Sequence, residues 1–148
     1  MSDSPNLGLP FIEAAQAQKH VTHNEALAML DAFVQTTVLA MSATAPPAPP
    51  VEGARVVVGA GAAGAFAGRE GRLAMYDAGA WRFFAPRAGW LVWSTADRCA
   101  FVHDGAAWVR FDASISRLQQ LSLLGVGTTA DATNPLAVSA GNALFTAR

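Results

Sequence analysis

A disulfide framework is out of reach for this chain, because Cys99 is its single cysteine. Cys99 lies in the strand-like run Cys99-Ala100-Phe101-Val102-His103, where it reads as a small buried hydrophobe. A catalytic thiol would need an activating base, and His103, the nearest histidine, has no evident orienting partner. Charge is scarce too. Charged residues make up 14% of the chain and apolar residues 52%, whereas soluble domains carry about a quarter charged. Either part of the surface is buried in an oligomer or larger assembly, or abundant alanine inflates the apolar count. The net charge is −1 with no basic stripe, which argues against a nucleic-acid face. No apolar run approaches the roughly 18 residues that span a membrane. Met1 to Pro10 has no basic region followed by an apolar core, so no secretory leader is expected and the chain is expected to be made in the cytoplasm.

What is present is concentrated between Tyr76 and Phe111, a stretch holding all four tryptophans, Trp81, Trp90, Trp93 and Trp108. It repeats itself. Tyr76-Asp77-Ala78-Gly79-Ala80-Trp81-Arg82-Phe83 returns as His103-Asp104-Gly105-Ala106-Ala107-Trp108-Val109-Arg110-Phe111. Asp and Gly suit a reversing turn, since Gly tolerates positive φ and Asp bonds its own backbone. Each copy predicts a β-hairpin whose Trp covers a sheet face. With Leu73–Tyr76, Trp90–Trp93 and Cys99–His103, the stretch predicts a small antiparallel sheet or barrel.

The fold class expected is α+β. Residues 1–42 read as an N-terminal docking arm and an oligomerisation helix, 43–50 as a Pro-rich linker, 51–112 as an antiparallel β module of Trp-containing hairpins, and 113–148 as a short helix with an extended tail. Thr22-His23-Asn24-Glu25 has the form of a capping box, which predicts a helix over residues 23–41. Leu27, Leu30, Val34 and Met41 then make one apolar stripe and Ala26, Phe33, Thr37 and Ala40 a second. Two adjacent stripes imply burial on more than one side, either against symmetry mates or within one core. Ala43-Thr44-Ala45-Pro46-Pro47-Ala48-Pro49-Pro50 reads as a semi-rigid spacer. Asp112 to Ser114 can cap a short helix carrying Ile115, Leu118, Leu121 and Leu124 and ending at Gly125.

Several patterns invite chemistry and are better explained otherwise. Gly59-Ala60-Gly61-Ala62-Ala63-Gly64 follows the strand Arg55–Val58 with dinucleotide-binding spacing. That fingerprint needs a helix at its third glycine, and Gly68 and Gly71 would break its first turns, so a flexible connecting loop anchored by Phe66 is expected. His20 and His23 lie three apart with Glu25 nearby. A metal site needs three or four ligands, and Glu25 is claimed by the capping box, so capping or interface contacts are expected. Asp77 and Asp104 are explained as turn residues and Asp112 as a cap, which leaves no acid/base pair. No catalytic, cofactor or metal site is expected. Trp90 and Trp93, outside the repeated unit, are the candidates for stacking on sugar rings.

A family resemblance adds to this. Leu9-Pro10-Phe11-Ile12-Glu13-Ala14-Ala15-Gln16-Ala17-Gln18-Lys19-His20-Val21-Thr22-His23-Asn24-Glu25-Ala26-Leu27, then Leu30-Asp31, resembles the N-terminal signature of uncharacterised proteins encoded in prophages and phage-like gene transfer agent clusters, often near tail and baseplate genes. The Pro-rich spacer, Gly64–Gly68, Gly79-Ala80-Trp81 and Phe84–Trp90 are similar to that family too. Leu124–Asn134 is similar to the junction after which longer members continue into a fibre. The resemblance implies a tail-fibre or fibre-attachment protein of a phage-like particle, homotrimeric, not an enzyme, lodged in the tail or baseplate region. It implies docking on baseplate or tail-hub proteins through Leu9, Phe11, Ile12, His20 and His23, and self-association through Leu27, Leu30, Val34, Met41, Leu118 and Leu121. A cell-surface polysaccharide at Trp90 and Trp93 is the alternative partner. The chain stops at Arg148, where longer members continue, so no distal receptor-binding domain is expected on it.

Overall fold

The helix starts earlier and ends sooner than its apolar spacing predicts. In the computed structural model, which describes residues 3–12, 19–115, 117 and 119–139, α1 spans Lys19–Phe33. Thr22 is therefore inside the helix and does not cap it. The end comes at Phe33, because Gln35 takes a left-handed φ of 48°, a conformation that terminates helices. The Thr36 hydroxyl donates to the Ala32 carbonyl at 3.0 Å and satisfies one exposed end group. Beyond it, Thr36-Thr37-Val38 is β-branched and favours extended backbone. Met41 lies outside the helix and packs against the core. The residues α1 turns inward are small or polar: Ala28, Asp31 and Ala32 are buried.

Two small sheets follow, giving an α+β architecture. One has the order β1 (Thr37–Val38), β5 (Leu91–Ser94), β6 (Cys99–His103), β7 (Trp108–Arg110); the other is β2 (Arg55–Val57), β3 (Leu73–Asp77), β4 (Ala80–Phe84). Neighbours pair antiparallel except β1 with β5. The segment from Thr36 to Thr44 serves both sheets. Its first half bonds β5, with the Trp93 amide donating to the Thr36 carbonyl and the Thr95 amide to Val38. Its second half bonds β2: the Leu39 amide donates to Arg55, the Val57 amide to Ala40, and the Ala43 amide to Val57. The start of the Pro-rich stretch is thus part of a ladder, and the Ala63 amide also reaches the Thr44 carbonyl.

The β2–β3–β4 sheet is covered on both faces, as period-two alternation allows. On one face, Val57 and Leu73 join Val38 and Val92, with Phe33, Phe84, Phe101 and Trp108 packed around them. On the other, Val56, Val58 and Ala74 meet Phe66, with Trp81 and Phe83 alongside. Phe66 reaches that face from a 3-10 turn, Gly64–Phe66, and is fully buried. Its ring meets Trp81 edge-on at 5.1 Å and Phe83 at 5.7 Å. Each such buried side chain contributes about 1.5–3 kcal/mol. The glycine-rich run is this loop. A Cβ on Gly59 would stand 2.7 Å from the Ser42 backbone, so Gly59 permits the approach of the crossing segment, and β3 rather than a helix comes next.

The tryptophan repeat gives two hairpins with different turns. β3 and β4 join through Ala78 and Gly79, both at positive φ (50° and 83°), and Tyr76 faces Trp81 across the pair. β6 and β7 join through four residues, and His103 faces Trp108. There the Asp104 carboxylate accepts the Ala106 and Ala107 amides at 2.8 Å each. A short helix, α2, covers Phe111–Ser114.

The chain divides into two compact units, Met1–Ser114 and Ile115–Arg148. In the second, β8 (Leu124–Val126) pairs parallel with β9 (Leu136–Val138). The helix expected to carry Ile115, Leu121 and Leu124 is absent among the described residues: Leu124 lies in β8 and Leu121 is exposed. The close approach of Gly125 to the Thr128 carbonyl and Ala130 amide favours a folded loop there. Leu118 and the turn expected at Gly141-Asn142 lie outside the described residues.

Candidate functional site

Several exposed large apolar side chains of the first unit lie on or just after α1 and on β5. Along β5 the pleat turns Leu91 and Trp93 outward and buries Val92 and Ser94. Met29 and Leu30 on α1, and Val34 just after it, face outward; these five residues are 42–54% exposed. Between the two elements runs an open cleft of ≈ 350 Å³, floored by Leu73 and Val92 and walled by Phe33, Thr36 and Trp90. A second cleft of ≈ 450 Å³ shares Phe33 and Trp90 and extends to Met29, Phe84 and Arg87. The Trp90 ring lies 4.8 Å from Phe33, whose far side meets Phe84 at 4.9 Å.

The expected site residues distribute unevenly over this surface. Leu30 and Val34 are on it, Leu27 is half-buried at its margin, and Met41 is in the core instead. Met41 cannot join a helical stripe, because α1 ends eight residues before it. Trp90 and Trp93 do not form one platform. Trp90 is half-buried against Phe33, while Trp93 points outward beside Thr37 and Ala100. The other two tryptophans are committed inside the unit: Trp81 lies on Phe66, and the Trp108 indole N–H donates to the Gly71 carbonyl at 2.9 Å.

The docking residues of the arm meet their own chain. Leu9 and Phe11 are half-buried, and Ile12 is exposed. The Asn24 side chain accepts the Ile12 amide at 2.9 Å and donates to its carbonyl at 3.1 Å, copying a strand partner. Asn24 thus holds the arm in place of the expected capping box. His23 is exposed on α1, and the His20 side chain lies outside the described atoms.

One polar constellation escaped the sequence reading. Asp31 is fully buried, and its carboxylate accepts from the Ser4 hydroxyl (2.6 Å), the Leu7 amide (2.6 Å), and the amide and side-chain nitrogen of Asn6 (3.1 and 2.7 Å). Burial by itself raises this carboxyl; the hydrogen bonds from Ser4, Asn6 and Leu7 outweigh that and leave it below its ordinary value. Arg55, also buried, donates to the carbonyls of Asp31 and Ala32 at 3.0 and 3.3 Å. Burial lowers its pKa and the Asp31 charge opposes that. The available signals were a lone Asp in the apolar run Leu27–Phe33 and an Arg opening the run Val56–Val58.

Other acidic groups make local contacts at turns and strand ends. Asp77 pairs with Arg82 at 2.9 Å and Asp112 with Arg110 at 2.6 Å. Asp104 is depressed by the Ala107 and Ala106 amides. His103 Nδ1 accepts the Gly105 amide at 3.2 Å. Among the described residues no group of three His, Cys, Asp or Glu could hold a metal, and no helix is long and apolar enough to cross a membrane.

Residues 23–109, from α1 to the last hairpin, match a family described as Protein of unknown function (DUF2793). The chain belongs to that family. The matched span holds Asn24, Asp31, Arg55 and every tryptophan; the arm and the second unit fall outside it. No curated protein matches the chain.

Proposed function

We propose that this DUF2793 chain is a structural component of a phage-like particle: a tail fibre, or a fibre attached to the baseplate, that aids attachment to the host cell. The observation that carries this reading is the outward apolar face of Met29, Leu30, Val34, Leu91 and Trp93. Large apolar side chains left exposed in this number suit a contact with another protein. The resemblance of residues 9–31 to prophage and gene transfer agent proteins supplies the class of assembly. Self-association as a homotrimer buries the face, and closed symmetry limits runaway association. The chain then acts without catalysis or a cofactor, and baseplate or tail-hub proteins are its other partners. Light scattering coupled to size exclusion tests the trimer, and immunogold labelling of particles tests the location. A monodisperse monomer at high concentration, with particles unlabelled, sinks both.

A second reading is a glycan-binding module for cell-envelope polysaccharide. Its specific support is Trp93, whose outward ring beside Thr37 suits stacking on a sugar face. Trp90, packed on Phe33, serves as a wall rather than an open platform.

A further inference from the structure

Residues 3–10 make a small folded plug of their own. The Ser4 amide donates to the Leu9 carbonyl at 2.9 Å, the Gly8 amide to the Ser4 carbonyl at 3.0 Å, and the Leu9 amide to the Ser4 hydroxyl at 3.0 Å. Asp3 and Pro10 close the turn as an antiparallel bridge. The plug enters a socket with two walls. One is the Asp31 carboxylate, which takes four donors from Ser4, Asn6 and Leu7. The other is Gly53, where an added Cβ would stand 2.8 Å from the Pro5 Cβ and 3.1 Å from the Asn6 side-chain nitrogen. The Asp31 backbone carbonyl is held by Arg55, whose buried Nε has no partner among the described residues.

We propose that residues 3–10 exchange between copies of this chain, so that the Asp31–Gly53 socket is a peptide-binding joint that receives the plug of a neighbour as well as its own. Two observations argue for it. The plug carries its own hydrogen bonds, so it is preorganised as a ligand and little ordering is left for binding. Its recognition is concentrated on one carboxylate and one glycine, not spread through the core. An isolated chain fills its own socket, because a tethered plug has a high effective concentration. Copies crowded together place neighbouring plugs at comparable concentration, and exchange links them. The socket's ligand class is a Ser-Pro-Asn-Leu-Gly turn, whatever particle or surface the chain serves, so this inference does not rest on the function proposed above.

The test uses an acetylated peptide of residues 3–12, the natural chain, and a Ser4→Ala/Asn6→Ala chain whose plug is weakened and whose socket is intact. Amide resonances of Asp31, Ala32 and Gly53 report occupancy. The expected result is displacement of the natural plug only at millimolar peptide, and binding about 100-fold tighter in the variant, where the tethered competitor is weakened. Mixing the variant with the natural chain at millimolar concentration should give mixed pairs by native mass spectrometry. No peptide shift in either chain overturns the proposal. So does a variant that unfolds, since an exchangeable segment must be removable from the body. Peptide binding without mixed pairs overturns exchange between copies.

Discussion

Phe66 and Trp93 are both large aromatic residues beside short strands, yet one is sealed and the other is open. Phe66 drops from the β2–β3 loop onto the sheet and meets Trp81 and Phe83, so its cluster is closed within the chain. Trp93 stands on β5 with Leu91, and both side chains are about half exposed, as are Met29, Leu30 and Val34. The difference lies in what the backbone brings overhead. A glycine-rich loop folds back over β2–β3–β4, whereas α1 buries Ala28, Asp31 and Ala32, sends Phe33 onto the core, and leaves Met29 and Leu30 exposed.

Breaking the closed cluster should have the largest effect. Phe66→Ala removes a fully buried ring and should lower unfolding free energy by about 3–5 kcal/mol in a denaturant titration; a loss under 1 kcal/mol would mean that the loop is not a sealed layer. Ala32→Leu forces bulk between α1 and the sheets and should cost about 1–3 kcal/mol, read from the same titration. Acid should loosen the arm. The folded Asp31 carboxyl lies below its ordinary 3.8, so its contribution is fully present above that value and fades as pH falls through the lower folded value. Hydrogen exchange at Asn6 and Leu7 should therefore accelerate as the pH falls below 3.8, before exchange in β3 does. The smallest effect on the single chain belongs to the open face. Leu30→Asp and Trp93→Ala should each shift stability by less than about 0.5 kcal/mol, while Leu30→Asp lowers the mass seen by light scattering. A soluble trimer retained by Leu30→Asp would remove that face from the interface.

Much of the β body was legible because its signals are local. Apolar runs at Leu73–Tyr76 and Trp81–Phe84, with Ala78-Gly79 between them, name strands and a turn within a dozen residues. Asp104 is readable in the same way, since its partners are two and three residues away. The end of α1 was not legible, because no glycine or proline marks it. Gln35 at positive φ and the pairing of Thr37 with Trp93 stop the helix, and that pairing joins residues far apart in sequence. Met41 was misplaced for the same reason. The Asp31 socket was hidden because its partners, Ser4, Asn6 and Leu7, sit more than twenty residues away.

The sequence by itself determined an α+β chain with an N-terminal helix, a run of short strands, two tryptophan turns and no internal disulfide, because periodicity, turn chemistry and cysteine number are local or additive properties. Only the tertiary structure decided that residues 36–44 join two sheets, that Gly59 gives way to a backbone instead of a phosphate, and that a buried carboxylate on α1 holds the arm. Those depend on which distant backbones come within hydrogen-bonding reach, and no local pattern specifies that distance.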